Sequence, residues 1–166
     1  MIYDKLALSA GCIFARTCDI LKVKRDSAIS ILLSGVSEEQ RTAVMDSSLH
    51  ISILVNSAFA CELFLKAQLP PEVIPKNRQG HDLEFLFSLL NSKHQQLVIQ
   101  DVIQQLQKHL PDYNELQFQT DLHNHCDVFT KWRYFYEGDT KPAGDFILCL
   151  MRALLNTQDS ELVSVQ

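Results

Sequence analysis

Between Asn56 and Leu69 the chain reads NSAFACELFLKAQL, the end of a long helix with Glu62 on the face that should be buried. Counting in steps of three and four from Val44 gives Ser48, Ile51, Val55, Ala58, Glu62, Leu65 and Leu69 on one side of a 3.6-residue repeat. Every late member of that stripe except Glu62 is apolar. A charged carboxylate among apolar neighbours is costly unless cations or hydrogen-bond donors meet it. Lys66 lies one turn on and can pair with it locally on a half-exposed flank. The alternative is a buried carboxylate met by a cation from a separate element. The candidates for that cation are His81 and Arg133, the guanidinium foremost.

At 166 residues the chain is one ordinary domain with enough length for a real core. Apolar residues make up 46% and charged residues 21%, a globular profile that excludes disorder as the ground state. Only 5 Gly and 5 Pro are present, which favours helices over a turn-rich β fold. A net charge of −5 argues against a general nucleic-acid coat and leaves room for a local basic groove. The 5 cysteines are odd in number and form no CxxC, so they read as reduced core thiols of a cytoplasmic protein. Asp4 and Lys5 interrupt the opening apolar run and make it a poor signal peptide. No run is expected to reach the ~18–20 apolar residues that cross a bilayer.

In chain order the spacing predicts a helical segment over about 3–33, interrupted near Gly11, with a charged surface bend at CDILKVKRDS. Leu6, Ile13, Ile20, Leu21, Ile29, Leu32 and Leu33 recur along it at helical intervals, and Gly35 stops it. Ser37 and Gln40 form a capping box that opens the helix carrying Glu62, and Pro70-Pro71 end that helix near Gln68. The loop from Pro70 to Gly80 holds Lys76 and Arg78 and is the longest connection. Asp82 caps a short apolar helix, LEFLFSLL. Ser92 and Gln95 box the next, with Leu97, Ile99, Val102, Ile103 and Leu106 as its core stripe and Pro111 at its end. Asp112 and Glu115 start a long helix to about Tyr136, with Phe118, Leu122, Cys126, Phe129, Arg133 and Tyr136 on one face. Pro142 opens the last helix, to about Asn156, and a polar tail frays beyond it. The domain division is an N-terminal helical segment at 1–36, a helical core at 37–157 and a tail at 158–166.

No nucleophile elbow, P-loop, zinc-protease or dinucleotide motif is present. His123 and His125 point about 200° apart on a helix and cannot share one ion, so they read as solvated or capping groups, and no metal or cofactor is expected. Cys61 and Cys149 sit in apolar surroundings that leave a thiol inert. His81 opens a helix, where it can contact a ligand or simply be held by loop carbonyls. Trp132, Tyr134 and Tyr136 flank Arg133, where they can stack on bases or serve as core residues.

ELFLKAQL, GHDLEFLF and KWRYFYE, in that order, resemble the HEPN domains, the "higher eukaryotes and prokaryotes nucleotide-binding" group. The resemblance spans roughly Ser37–Asn156. It implies an all-α, up-and-down helical bundle with two long helices, often a homodimer, found in prokaryotic defence, toxin–antitoxin and RNA-processing settings. It also implies ligands such as RNA, a nucleotide or a partner protein. Members that cut RNA without a metal use an Arg followed, after four to six residues, by a His, brought together at a dimer cleft. Here Gly138, Asp139 and Thr140 stand where that His belongs, and no Arg of the chain satisfies the spacing. Proton transfer near neutral pH calls for a group such as His, so a binding module without catalysis is the leading expectation. Its binding residues are Arg133, Tyr134, Tyr136, Arg78 and Lys131, and its polar core is Glu62, Lys66 and His81. The alternatives are a metal-independent ribonuclease with a degenerate site, whose candidates are Arg133, His81 and Glu137, and a purely structural helical adaptor.

Overall fold

Asp4 begins the first helix by capping it: its Oδ1 accepts from the backbone N–H groups of Leu6 and Ala7 at 2.9 and 3.2 Å. This is a computed structural model, and it describes residues 4–34, 49–128 and 144–163. Among these residues there are six α-helices and no strand: α1 (Lys5–Ser34), α2 (His50–Ala67), α3 (Leu83–Ser88), α4 (Ser92–Leu106), α5 (Glu115–Asn124) and α6 (Gly144–Val163). The all-α expectation holds. The expected capping box at Ser37, the expected stop at Gly35 and the expected N1 role of Pro142 lie outside the described residues, within which the helix that carries Glu62 begins at His50.

α2 is the central element, packed against α1, α3 and α6, while α4 lies on α6 and α5. α1 and α2 run antiparallel. The Asp4 N–H donates to the Ala67 carbonyl at 3.1 Å, Gly11 meets Phe64, and the Cys18 thiol donates to the Ile53 carbonyl at 3.5 Å. Small residues on α1 allow the close approach. A Cβ on Gly11 would sit 2.7 Å from the Phe64 ring, and Ala15 and Cys18 are buried beside it. α1 is therefore unbroken, against the expected interruption at Gly11 and the expected bend at CDILKVKRDS. Gly11 is there for packing, not for a break. The inward face of α1 carries Ala15, Cys18 and Ala28, whereas Leu6, Ile13, Ile20 and Ile29 point to solvent.

By length and composition α2 is apolar enough to cross a membrane, contrary to the reading of the sequence. Ten of its residues are buried inside the bundle, which is the burial of a core helix. Its end at Gln68 before Pro70-Pro71 is as expected. The following connection contains two 3-10 turns, Pro71–Val73 and Arg78–His81.

Asp82 caps α3 as expected, its Oδ1 accepting from the Phe85 N–H at 2.9 Å. The next two caps are shifted by one and two residues. Asn91, not Ser92, caps α4, and Asn114, not Asp112, caps α5 in a reciprocal box with Gln117. Gln95 donates instead to the carbonyls of Phe87, Ser88 and Leu90 and ties α4 to the end of α3. On α4 the buried face is His94, Val98, Ile99, Val102 and Leu106, so Leu97 lies on the exposed side.

Two boundary expectations are overturned. α5 stops at Asn124 instead of running towards Tyr136. His125 Nδ1 turns back onto the Asp121 carbonyl at 2.6 Å, and the Cys126 carbonyl accepts from the Leu83 N–H at 2.7 Å. α6, in contrast, continues to Val163 through the stretch read as a fraying tail. Thr157 and Gln158 are buried there, and Gln158 Nε2 donates to the Phe64 carbonyl on α2 at 3.2 Å. Phe87, Phe118 and Phe146 join α3, α5 and α6 in a chain of ring contacts with centroids 5.5 and 5.6 Å apart.

Candidate functional site

Glu62 is buried on α2 with 2% of its side chain exposed. Its Oε1 accepts from two groups: Lys66 Nζ at 2.6 Å and His81 Nδ1 at 3.0 Å. The local pair and the cross-element pair, posed as alternatives by spacing, are both present on the same oxygen. The partner from a distant segment is an imidazole. Among the described residues no guanidinium meets Glu62, whose Oε2 is buried without a hydrogen-bond partner there. Arg133 lies outside the described residues, as do Lys131, Tyr134, Tyr136 and Glu137. The Arg78 backbone belongs to the turn before His81, and its side chain lies outside the described set.

The loop delivers His81 to Glu62 through a series of local constraints. Asn77 Oδ1 accepts from the Gln79 N–H at 3.0 Å and shapes the 3-10 turn. Gly80 is buried against Pro75, where an added Cβ would stand 2.2 Å from the Pro75 carbonyl oxygen. Asp82 then caps α3 and fixes the chain direction just after His81. Gly80→Ala is expected to destabilise the fold by about 1–3 kcal/mol, because the new methyl forces the loop away from Pro75. Urea denaturation of the two proteins checks this.

The chemistry of the cluster follows from exposure. Lys66 is 21% exposed and His81 49% exposed, so both reach solvent from a carboxylate that does not. A carboxylate that already binds an ammonium accepts from Nδ1, which leaves Nε2 as the ring nitrogen open to a ligand among the described contacts. Oriented imidazole beside an ammonium can hold an anion or move a proton.

His123 and His125 behave as solvated and capping groups. His123 is exposed and pairs with Glu84 Oε2 at 2.9 Å, and His125 closes α5. Asp82, Glu84 and Cys126 place one ligand atom each within 4.8 Å of one another, a grouping that spacing along the chain does not announce. Both acidic groups have partners: Asp82 caps α3 and Glu84 holds His123. The reading of core thiols fits only Cys18 and Cys61, since Cys12 is exposed and Cys126 and Cys149 are half-buried. Burial pushes the Cys61 thiol well above its ordinary range, which leaves it inert as expected. The Tyr113 phenol is also pushed up, by burial and by its 2.8 Å hydrogen bond to Asp121.

Compared with known protein families, curated proteins and solved structures, the chain matches none.

Proposed function

We propose that the protein is a HEPN-like helical module, working as a homodimer in a prokaryotic defence or toxin–antitoxin-like setting, that binds RNA without cutting it. The observation that supports ligand binding is the anchored His81. Glu62 holds the imidazole through Nδ1 and holds Lys66 on the same oxygen, so two groups suited to a phosphate stand together at the solvent edge of α2. The dimer has its own support on α1. Leu6, Ile13, Ile20 and Val23 are 83, 63, 61 and 68% exposed, at helical spacings of seven and three. On one flank of that row Lys5 stands near the start and Asp19 and Asp26 follow at further multiples of seven. Two antiparallel copies of α1 would bring opposite charges together there.

The second reading, a ribonuclease-like activity, rests on the same 3.0 Å contact, because a carboxylate-oriented imidazole is a general acid–base arrangement. The missing Arg-to-His spacing places it second.

Fluorescence anisotropy with a labelled single-stranded oligoribonucleotide tests the first reading. Saturable, salt-dependent binding is expected, weakened about tenfold by His81→Ala, the loss of one charge-assisted hydrogen bond of about 1.4 kcal/mol. Total RNA incubated with the protein is expected to stay intact. Cleavage that disappears in His81→Ala and Arg133→Ala would establish the second reading. Failure to bind RNA at low salt would leave a structural adaptor.

A further inference from the structure

Asp82, Glu84 and Cys126 form a mixed-donor cluster that the Glu62 site does not use. Their ligand atoms, two carboxylate oxygens and a sulfur, lie within 4.8 Å of one another, and all three residues are half-buried. The donors come from two segments, the start of α3 and the turn that closes α5. A backbone hydrogen bond clamps those segments together: the Leu83 N–H, between the two acids, donates to the Cys126 carbonyl at 2.7 Å. Leu83 is wholly buried, which anchors the clamp in the core. The divergence of His123 and His125 along one helix does not bear on such a site, because no single helix supplies it.

The hydrogen bonds already made to the acids orient them and do not use them up. Asp82 caps α3 through Oδ1, and Glu84 receives His123 Nδ1 on Oε2 at 2.9 Å, so each carboxylate keeps a second oxygen for ligation. A carboxylate steadied from outside by an imidazole has the form of a metal ligand with its second shell. Among the described residues the base paired with this cluster is His123, which is 73% exposed, and no Lys or Arg meets either acid. Two carboxylates beside a sulfur repel one another until a cation joins them. Cys126 also follows the carbonyl end of α5, where the helix dipole favours positive charge.

The donor set selects the ion. Calcium and magnesium take oxygen ligands, whereas zinc accepts sulfur and oxygen together. Zinc bonds of about 2.0–2.3 Å place tetrahedral donors about 3.3–3.8 Å apart, so side-chain shifts of under about 1.5 Å complete the site. Three protein ligands leave the fourth position to water.

We propose that Asp82, Glu84 and Cys126 bind one zinc ion, with His123 as the positioning residue that holds Glu84. The cluster shares no side chain with Glu62, Lys66 and His81, so this site and the RNA reading can fail separately.

Titration of the full chain, stripped with a chelator and kept reduced, tests the assignment with Co²⁺ and Zn²⁺. One Co²⁺ per chain is expected to raise a near-ultraviolet sulfur-to-cobalt charge-transfer band, and Zn²⁺ to displace it. Cys126→Ser should abolish the band, whereas Cys12→Ser, which removes the exposed thiol of α1, should leave it. Competition with a chromophoric chelator reads the zinc affinity. Asp82→Asn, whose amide oxygen can still cap α3, and Glu84→Gln should each weaken it more than about tenfold. His123→Ala should weaken it about 10–100-fold, and His123→Asn, which can still donate to Glu84, should recover part of the loss. His81→Ala should leave it unchanged. Melting temperatures of the metal-free variants separate lost ligation from lost folding. Three results would overturn the proposal: no saturable binding of one ion per chain, a charge-transfer band that survives Cys126→Ser, or zinc affinity unmoved by Asp82→Asn and Glu84→Gln.

Discussion

Phe64→Ala is expected to lower the unfolding free energy by about 3–5 kcal/mol, the cost of emptying a large site in a packed core. Phe64 is wholly buried on α2, and its ring fills the space that Gly11 leaves open on α1. Its carbonyl also accepts from Gln68 and from Gln158 of α6, so α1, α2 and α6 all meet at this residue. The partner substitution has a sign that depends on the ring. Alanine in place of a glycine inside a helix gains about 1 kcal/mol from backbone entropy. At position 11 the new methyl would stand 2.7 Å from a ring with nowhere to go, and such overpacking costs about 1–3 kcal/mol. Gly11→Ala is thus expected to destabilise the native chain and to stabilise a Phe64→Leu background. Urea denaturation of the four proteins shows whether the sign reverses.

Glu62→Ala is expected to cost about 2–4 kcal/mol. The substitution removes the acceptor that Lys66 and His81 share and opens a void on the buried face of α2. Breaking a fully buried pair costs about 3–5 kcal/mol because a charge is left behind without a partner. Here the abandoned partners are part-exposed and regain water, which lowers the figure. Glu62→Gln is expected to cost less, about 1–3 kcal/mol. It keeps one acceptor oxygen but loses the charge, and it places an amide N–H₂ where the buried Oε2 has no partner among the described residues. Thermal and urea unfolding of the two variants should rank them in that order, with His81 released from α2 in Glu62→Ala.

Glu62 could be picked out of the sequence because a repeat of three and four residues places it between Ala58 and Leu65 whatever else the chain does. Pro70-Pro71 and Asp82 were equally plain, since a missing N–H and a capping carboxylate act locally. What failed depended on contacts between distant segments. The apolar rhythm of Phe118, Leu122 and Cys126 continues past Asn124, yet the helix stops where the Cys126 carbonyl takes the Leu83 N–H. On α1 the large residues Leu6, Ile13 and Ile20 suggested the buried face, but the closest approach to α2 falls at the small residues Gly11, Ala15 and Cys18, with Phe14 packing edge-on against Phe59 beside them. Polar Gln158 looked like tail and is core because its amide reaches the Phe64 carbonyl.

A double-mutant cycle on Glu62 and His81, with Lys66 left in place, measures whether the buried carboxylate and the loop imidazole act as one unit. Unfolding free energies of the native chain, Glu62→Ala, His81→Ala and the double variant are predicted to show a coupling of about 0.5–3 kcal/mol. Losses that simply add, to within about 0.3 kcal/mol, would contradict the account and leave His81 an ordinary surface histidine.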